Sequence, residues 1–389
     1  MIERNRDNYI SMLFAGDFSP CRDFENIVIN KQSEVLGEAQ SIIKNTDVSF
    51  VNLECPLTKS TKAINKTGPA LKADPDCILA LKDFSVIGLA NNHILDYGKK
   101  GLEDTLEACG KANLSTVGAG LNLEHATKPF IKLIKNKKIA IIAIAEHEFN
   151  QSEDGGCGSA GIDPIDNYYQ IKEAQRDADI VIVTLHGGNE YFPYPRPGLR
   201  KICHYFIDLG VDAVVCHHPH VPGAYEEYKN KPIIYSLGNF IFDNPNPPKG
   251  WDIGYLLKLK FDTTTAKNDV EFDLIPYQQS VKLNGIRILK GKEKDDVLAS
   301  IDKLNHILTD DLEWNKAWQK LLEERSNDYI VQMLSPVMFR GLVRLSRYLP
   351  ISKILLNKNN TLLKLNLLRC QSHYEILVAA LQNRAENTN

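Results

Sequence analysis

A chain of 389 residues that is 43% hydrophobic and 24% charged has material for a large core plus an appended region or second domain. Its formal net charge of -3 excludes the overall basic bias of a nucleic-acid-binding or anionic-membrane protein. Its eight cysteines form no CxxC pair and no regular framework, which argues against a disulfide scaffold and against a thiolate-type structural zinc site.

The opening "MIERNRDNYISMLFAGD" carries no signal-peptide pattern, and its apolar stretch from Tyr9 to Gly16 is too short to span a bilayer. No later segment reaches that length, so a cytoplasmic location is expected. Short β-branched runs then alternate with helical patterns up to about residue 260. The runs are "YISMLFAG", "DVSFVNL", "SVIGLAN", "KIAIIAIAE", "DIVIVTLHG", "DAVVCHH" and "KPIIYSLGNFIF". Between them lie amphipathic stretches such as "KKGLEDTLEACGKAN" and "NYYQIKEAQRDA". Doubly buried strands alternating with helices predict an α/β domain of layered sheets. "GYLLKLKFDT" and "DVEFDLIPYQQ" alternate with period two and predict a closing antiparallel hairpin. A boundary near residue 294 separates a domain of residues 8–294 from a helical C-terminal region of residues 295–389. From Tyr329 to Tyr374 that region has no acidic residue, while Arg340, Arg344, Arg347, Lys353, Lys358, Lys364 and Arg369 are basic. Two readings fit: weak contact with a membrane surface, or amphipathic helices packed on the core or on a second subunit. Pro336 and Pro350 interrupt any long helix and favour packing.

Five apolar runs end in oxygen or imidazole donors: Asp17, Glu54, Asn92 with His93, His186, and His218. In α/β folds the carboxyl ends of strands converge on the ligand site. Pro219 favours an extended backbone at His218, which would turn His218 and His220 to one side and His217 to the other. Carboxylate, amide and imidazole donors together suit a borderline divalent ion, manganese, zinc or iron. Asp96 is read either as orienting His93 or as capping the helix that follows. Alternation turns Cys55 away from the site.

The segments "AGDFSP", "VNLECPLT", "ANNHILDYG", "LHGGNEY" and "HHPHVPGAYEEYKNKPIIYSLGNFIFD" resemble, in order, the motifs of the CapA family of capsule and poly-γ-glutamate synthesis, which is related to calcineurin-like metallophosphoesterases. The resemblance spans residues 10 to about 245. It implies a four-layer αββα sandwich with one or two metal ions at the sheet edge. By resemblance Asp17, Glu54, Asn92, His186, His218 and His220 are the metal ligands, Glu54 taking the bridging position. His93, with Asp96, would handle the proton, and His217 would stand outside the ligand set. Ser19 stands where phosphoesterases carry a ligating histidine, with Asn52, Asp96 or Glu190 as substitutes. Glu190 is read as fixing a histidine or contacting substrate, Arg196 in the rigid "YFPYPRPG" loop as an anion contact or part of an ordered connection, and Asn239 as a substrate contact or loop packing. The function implied is a metal-dependent hydrolase, a phosphoesterase first of all, acting on a phosphorylated or polymeric envelope-related substrate. A non-catalytic partner in polymer synthesis and a γ-glutamyl or amide hydrolase are the alternatives.

Overall fold

A computed structural model describes residues 8–66, 68–151, 156–264, 269–334 and 358–386. The first half of the chain runs β1 (Tyr9–Ser19), α1 (Asp23–Lys31), α2 (Ala39–Lys44), β2 (Val48–Leu53), β3 (Val86–Gly88), α3 (Gly98–Lys111), β4 (Ser115–Val117), β5 (Ala119–Gly120), α4 (Leu123–Thr127), β6 (Phe130–Ile134), β7 (Lys137–Ala145) and β8 (Gly158–Ser159). There follow α5 (Pro164–Asp177), β9 (Ile180–His186), α6 (Pro197–Asp208), β10 (Ala213–His217), β11 (Tyr225–Tyr228), β12 (Lys231–Ile234), β13 (Asn239–Phe242), β14 (Ile253–Asp262), β15 (Val270–Ser280) and β16 (Gly285–Ile288). The helices α7 (Gly291–Thr309), α8 (Asp311–Leu334), α9 (Lys358–Arg369) and α10 (Gln371–Glu386) complete the description.

Two sheets form the centre. The first runs β16-β15-β14-β1-β2-β3-β4, with β13 joining the far end of β1; the second runs β11-β12-β10-β9-β7-β6. Strands β1 to β4 pair in parallel, as do β7, β9, β10 and β12. The hairpin expected from period-two patterning is β14 and β15, paired antiparallel from Ile253 with Gln278 to Phe261 with Val270.

Side-chain alternation builds the layers. Along β1, Ile10, Met12 and Phe14 face the space between the sheets, where they meet Ile141, Ile182 and Val215. Leu13 and Ala15 face the other way, onto Phe24 of α1 and Leu102 of α3. Along β9, Ile180 and Ile182 point to the inter-sheet core, and Val181, Val183 and Leu185 point to Phe206 of α6 and Trp318 of α8. Each fully buried aromatic such as Phe14 or Phe50 stabilises this by about 2–3 kcal/mol. The result is the four-layer αββα sandwich.

The helices beyond residue 290 pack on this sandwich. Ile301 of α7 enters the inter-sheet core, and Trp314, Trp318 and Leu322 of α8 with Ile376 of α10 cover the second sheet. Among the described residues no helix is long and apolar enough to cross a membrane. Arg340, Arg344, Arg347 and Lys353 of the basic stretch lie outside the described residues; Lys358, Lys364 and Arg369 are on α9.

Candidate metal centre

The site begins with an irregularity in β1. Its register with β2 shifts between Ala15 and Asp17, and with β13 between Asp17 and Phe18. Such a bulge re-aims a side chain. Gly16 permits it, because a Cβ there would lie 1.9 Å from the Gly238 carbonyl oxygen. Asp17, 1% exposed, accepts from Asn52 Nδ2 at 2.7 Å and from the His218 backbone N–H at 3.1 Å. Burial alone would raise its carboxyl, but the imidazoles of His217, His186 and His220 hold it well below the usual range.

From the first sheet come Asp17, Glu54 and Asn92, each just at or past the end of a strand; from the second come His186, His218 and His220. His186 Nε2 lies 3.0 Å from Asn92 Oδ1, 3.1 Å from His218 Nδ1 and 3.5 Å from Glu54 Oε1. One ring nitrogen carries a single hydrogen or a single lone pair and cannot satisfy three such neighbours. Donors about 2.0–2.2 Å from one metal ion stand at about this mutual spacing. A second group, Asp17, Glu54 and His220, shares Glu54 with the first. His220 Nδ1 is 3.0 Å from Asn239 Oδ1 and 3.6 Å from Asp17 Oδ2, and Nε2 is 3.7 Å from Glu54 Oε1.

Glu54 tests the fit. It is fully buried, and neither carboxylate oxygen has a hydrogen-bond partner. Burial first and the neighbouring Asp17 second push its carboxyl well above the usual range. A buried carboxylate between two imidazole-bearing groups is a costly arrangement on its own and a favourable one around divalent cations. The residues present therefore fit one or two such ions.

Beside the donors lies a second unit. His93 Nδ1 is 2.6 Å from Asp96 Oδ2, and Lys66 Nζ donates to Asp96 Oδ1 at 2.6 Å. The Leu71 backbone N–H donates to Asp96 Oδ2 at 2.7 Å. Burial opposes ionisation of Asp96, but His93 and Lys66 hold its carboxyl below the usual range. With Nδ1 engaged, Nε2 is the ring nitrogen of His93 left for the cleft that it lines. The capping role considered for Asp96 is not found: α3 starts at Gly98 behind Tyr97, with no side-chain cap.

Several expectations need correcting. Arg196 is 3% exposed and ion-paired with Glu146 and Glu375, so it offers no free anion contact. Asn239 is fully buried, donates to the His220 and Trp251 carbonyls and meets His220 Nδ1; it orients a donor rather than touching substrate. The backbone at His218 and His220 is left-handed, φ 99° and 60°, not extended, so the two rings converge through a turn instead of through strand alternation. His217 stays outside both donor groups, as expected, but supports one of their members, its Nδ1 3.3 Å from Asp17 Oδ1. Of the substitutes considered for the missing histidine, Asn52 is spent on Asp17 and His186, and Asp96 on His93 and Lys66. Ser19 is fully buried and its hydroxyl turns to Cys21 Sγ, 3.6 Å away. Glu190 is on the cleft wall, its carboxyl lowered by His220 and His218 against the desolvation that raises it.

The donors open into a cleft of about 460 Å³ whose wall includes Lys66, Glu190, Tyr191, Trp251, Arg325 and His373. Arg325 and His373 come from α8 and α10, so the C-terminal helices roof the site. Sequence reasoning missed Lys66, which sits in an aperiodic loop, and Glu148. The latter lies three residues past β7 in "KIAIIAIAEHEF", where the strand-end rule points first to Glu146, the partner of Arg196.

A family model described as "Bacterial capsule synthesis protein PGA_cap" matches residues 11–244. The chain is 35% identical over 257 residues to the PGA biosynthesis protein CapA of Bacillus subtilis, covering 63% of this chain and 65% of that one. It is 32% identical over 267 residues to the capsule biosynthesis protein CapA of Bacillus anthracis, covering 64% and 62%. A Mycobacterium tuberculosis protein named "Probable polyglutamine synthesis accessory protein" is 31% identical over 279 residues, covering 67% and 72%. The chain thus spans less than two thirds of the length of the two Bacillus relatives.

Proposed function

The chain belongs to the bacterial capsule synthesis family PGA_cap, and from that premise we propose that it is a divalent-metal-dependent hydrolase, a phosphoesterase first of all, in capsule or envelope polymer metabolism. The observation that carries the reading is Glu54, buried and unpaired between two donor groups that share it. Asp17, Glu54 and His220 would hold one ion, and Glu54, Asn92, His186 and His218 another, with manganese, zinc or iron as the candidates. A divalent cation there supplies positive charge to the reacting oxygens and a water acidic enough to react near neutral pH.

The chain's own residues do the rest. Asn239 fixes the His220 ring, so that Nε2 faces Glu54. Asp96 fixes the His93 ring through Nδ1, and His93 Nε2 delivers a proton to the leaving oxygen. Arg325 on the cleft wall offsets the charge of an anionic substrate, while Lys66 holds Asp96. Tyr191 and Trp251 provide an apolar wall, and the helical roof limits water.

The name of the mycobacterial relative supports a second reading, a non-catalytic metal-binding partner in polymer synthesis. The His93, Asp96 and Lys66 unit favours catalysis, because a binding module needs no oriented proton carrier. The experiment is a metal analysis followed by assays, with and without manganese, on p-nitrophenyl phosphate, a phosphate bis-ester and a γ-glutamyl amide. Metal-dependent turnover of an ester supports the phosphoesterase, and turnover of the amide alone replaces it with an amidase. Bound metal without turnover of any substrate supports the accessory reading, and no bound metal overturns both.

A further inference from the structure

We propose that Glu148, Cys370 and His373 form an additional cation site, of zinc-type donor chemistry, between the roofing helices and the loop after β7. One ligand atom from each of the three residues lies within 4.8 Å of the others, and Glu148 Oε1 is 3.4 Å from Cys370 Sγ. Cys370 sits at the junction of α9 and α10, and His373 follows three residues later in the first turn of α10. That spacing puts thiol and imidazole on one helix face. Burial, with Glu148 and Glu146 beside it, pushes the Cys370 thiol well above its ordinary range, so the thiolate forms with a bound cation and not in its absence.

The site is built before any ion arrives. Gln371, next to Cys370, accepts through Oε1 from the backbone N–H of His147, next to Glu148, at 2.7 Å. Asn189 Nδ2 reaches the Ser372 carbonyl at 3.4 Å, and Glu375 pairs with Arg196 and accepts from the Gly198 N–H at 3.1 Å. These bonds hold the start of α10 against the loops that carry the main centre. The Asn366 amide lies 3.3 Å from His373 Nδ1, and its Oδ1 is a buried acceptor with no partner. Turned so that Oδ1 accepts from Nδ1–H, this amide leaves the Nε2 lone pair of His373 free for a metal.

Thiolate, imidazole and carboxylate suit Zn²⁺ or Co²⁺ and not Mg²⁺ or Ca²⁺. Binding releases the Cys370 thiol proton to solvent, and three protein ligands leave one position toward the cleft that Glu148 and His373 line. Glu148 Oε2 also faces Asn92 Nδ2 at 3.4 Å, so the new site holds the amide whose Oδ1 faces His186. Cys370 and His373 lie beyond the residues 11–244 that the family model matches and Glu148 lies within them, so the site joins the matched region to the C-terminal helices.

The test needs no turnover. Full-length protein, freed of metal by chelation and kept reduced with a phosphine, is titrated with Co²⁺ and followed by absorption. The expected result is a near-ultraviolet thiolate-to-cobalt band of one-site amplitude that is complete within about three equivalents, since the main centre takes one or two ions itself. It disappears in Cys370→Ser, weakens at least tenfold in affinity in His373→Gln, and persists in Glu54→Gln, which empties only the main centre. The absence of a thiolate band in the unaltered protein, or its persistence in Cys370→Ser, overturns the proposal. If circular dichroism shows that Cys370→Ser does not fold, His373→Gln decides: unchanged cobalt affinity of the band overturns the site, and the tenfold loss supports it.

Discussion

Two buried glutamates in this molecule have opposite surroundings. Glu226 on β11 accepts from Arg200 Nη2 at 2.9 Å, His204 Nε2 at 2.7 Å and the Tyr235 hydroxyl at 2.5 Å. Burial works against its charge, yet these partners take its carboxyl down to about 2. Glu54 has no partner at either oxygen and is pushed the other way. The first cluster is finished within the protein and ties α6 to the second sheet. The second is left incomplete, and its missing charge has to come from outside. Pairing of a buried carboxylate therefore separates a structural role from a ligand-binding one more sharply than burial does.

The largest effect that breaks this contrast is expected from Glu54→Gln. Metal affinity falls at least a hundredfold, read by elemental analysis after equilibrium dialysis. In metal-free protein the same change raises stability at neutral pH, because Glu54 there has to take up a proton or stay buried as an uncompensated charge. If metal content were unchanged, the shared-ligand assignment would be wrong. Next comes His93→Ala, which lowers turnover by about 10²–10⁴-fold while metal content stays the same; loss of metal instead would make His93 a ligand. Arg196→Ala belongs to the finished type. It strands Glu146 and Glu375, costs about 3 kcal/mol in urea unfolding, and leaves the KM of folded enzyme unaltered. A raised KM at full stability would restore Arg196 as an anion contact.

Glu226 gives a smaller effect with a definite pH window. Its folded value of about 2 lies below the ordinary 4.5, so its contribution is fully present above about pH 4.5 and is lost as pH falls toward 2. The stability gap between the natural protein and Glu226→Gln is expected to shrink by about 2 kcal/mol between pH 5 and pH 2. A gap that does not change with pH would show the pairing to be worthless. The exposed pair of Lys290 and Glu38 marks the lower end, with under about 0.5 kcal/mol lost on Lys290→Ala.

The layered α/β arrangement and the strand-end donors were legible because both rest on local pattern, while the four-layer sandwich was implied by the family resemblance. Apolar runs such as "DIVIVTLHG" announce parallel strands, and parallel strands bring their carboxyl ends, with Asp17, Glu54 and His186, to one edge. What resisted reading depends on partners far away in the chain. Arg196 looks like a free cation until Glu375 arrives from α10, and Asn239 looks exposed until His220, Trp251 and Tyr277 enclose it. The left-handed backbone at His218 and His220 contradicts the usual effect of Pro219 on its predecessor, and no neighbour in sequence signals it. The helical roof was hidden in a basic composition that suits a membrane surface as well as packing.

Donors drawn from two different sheets carry a consequence for how the protein matures. Neither half of the sandwich owns a complete chelate, so a chain with only one sheet formed has little hold on metal. Ion capture would then wait for the sheets to dock, and a bound ion would act as a rivet across them. Unloaded protein should refold without a slow metal-dependent phase, while loaded protein should resist separation of its halves. Metal occupancy would then certify that assembly was completed.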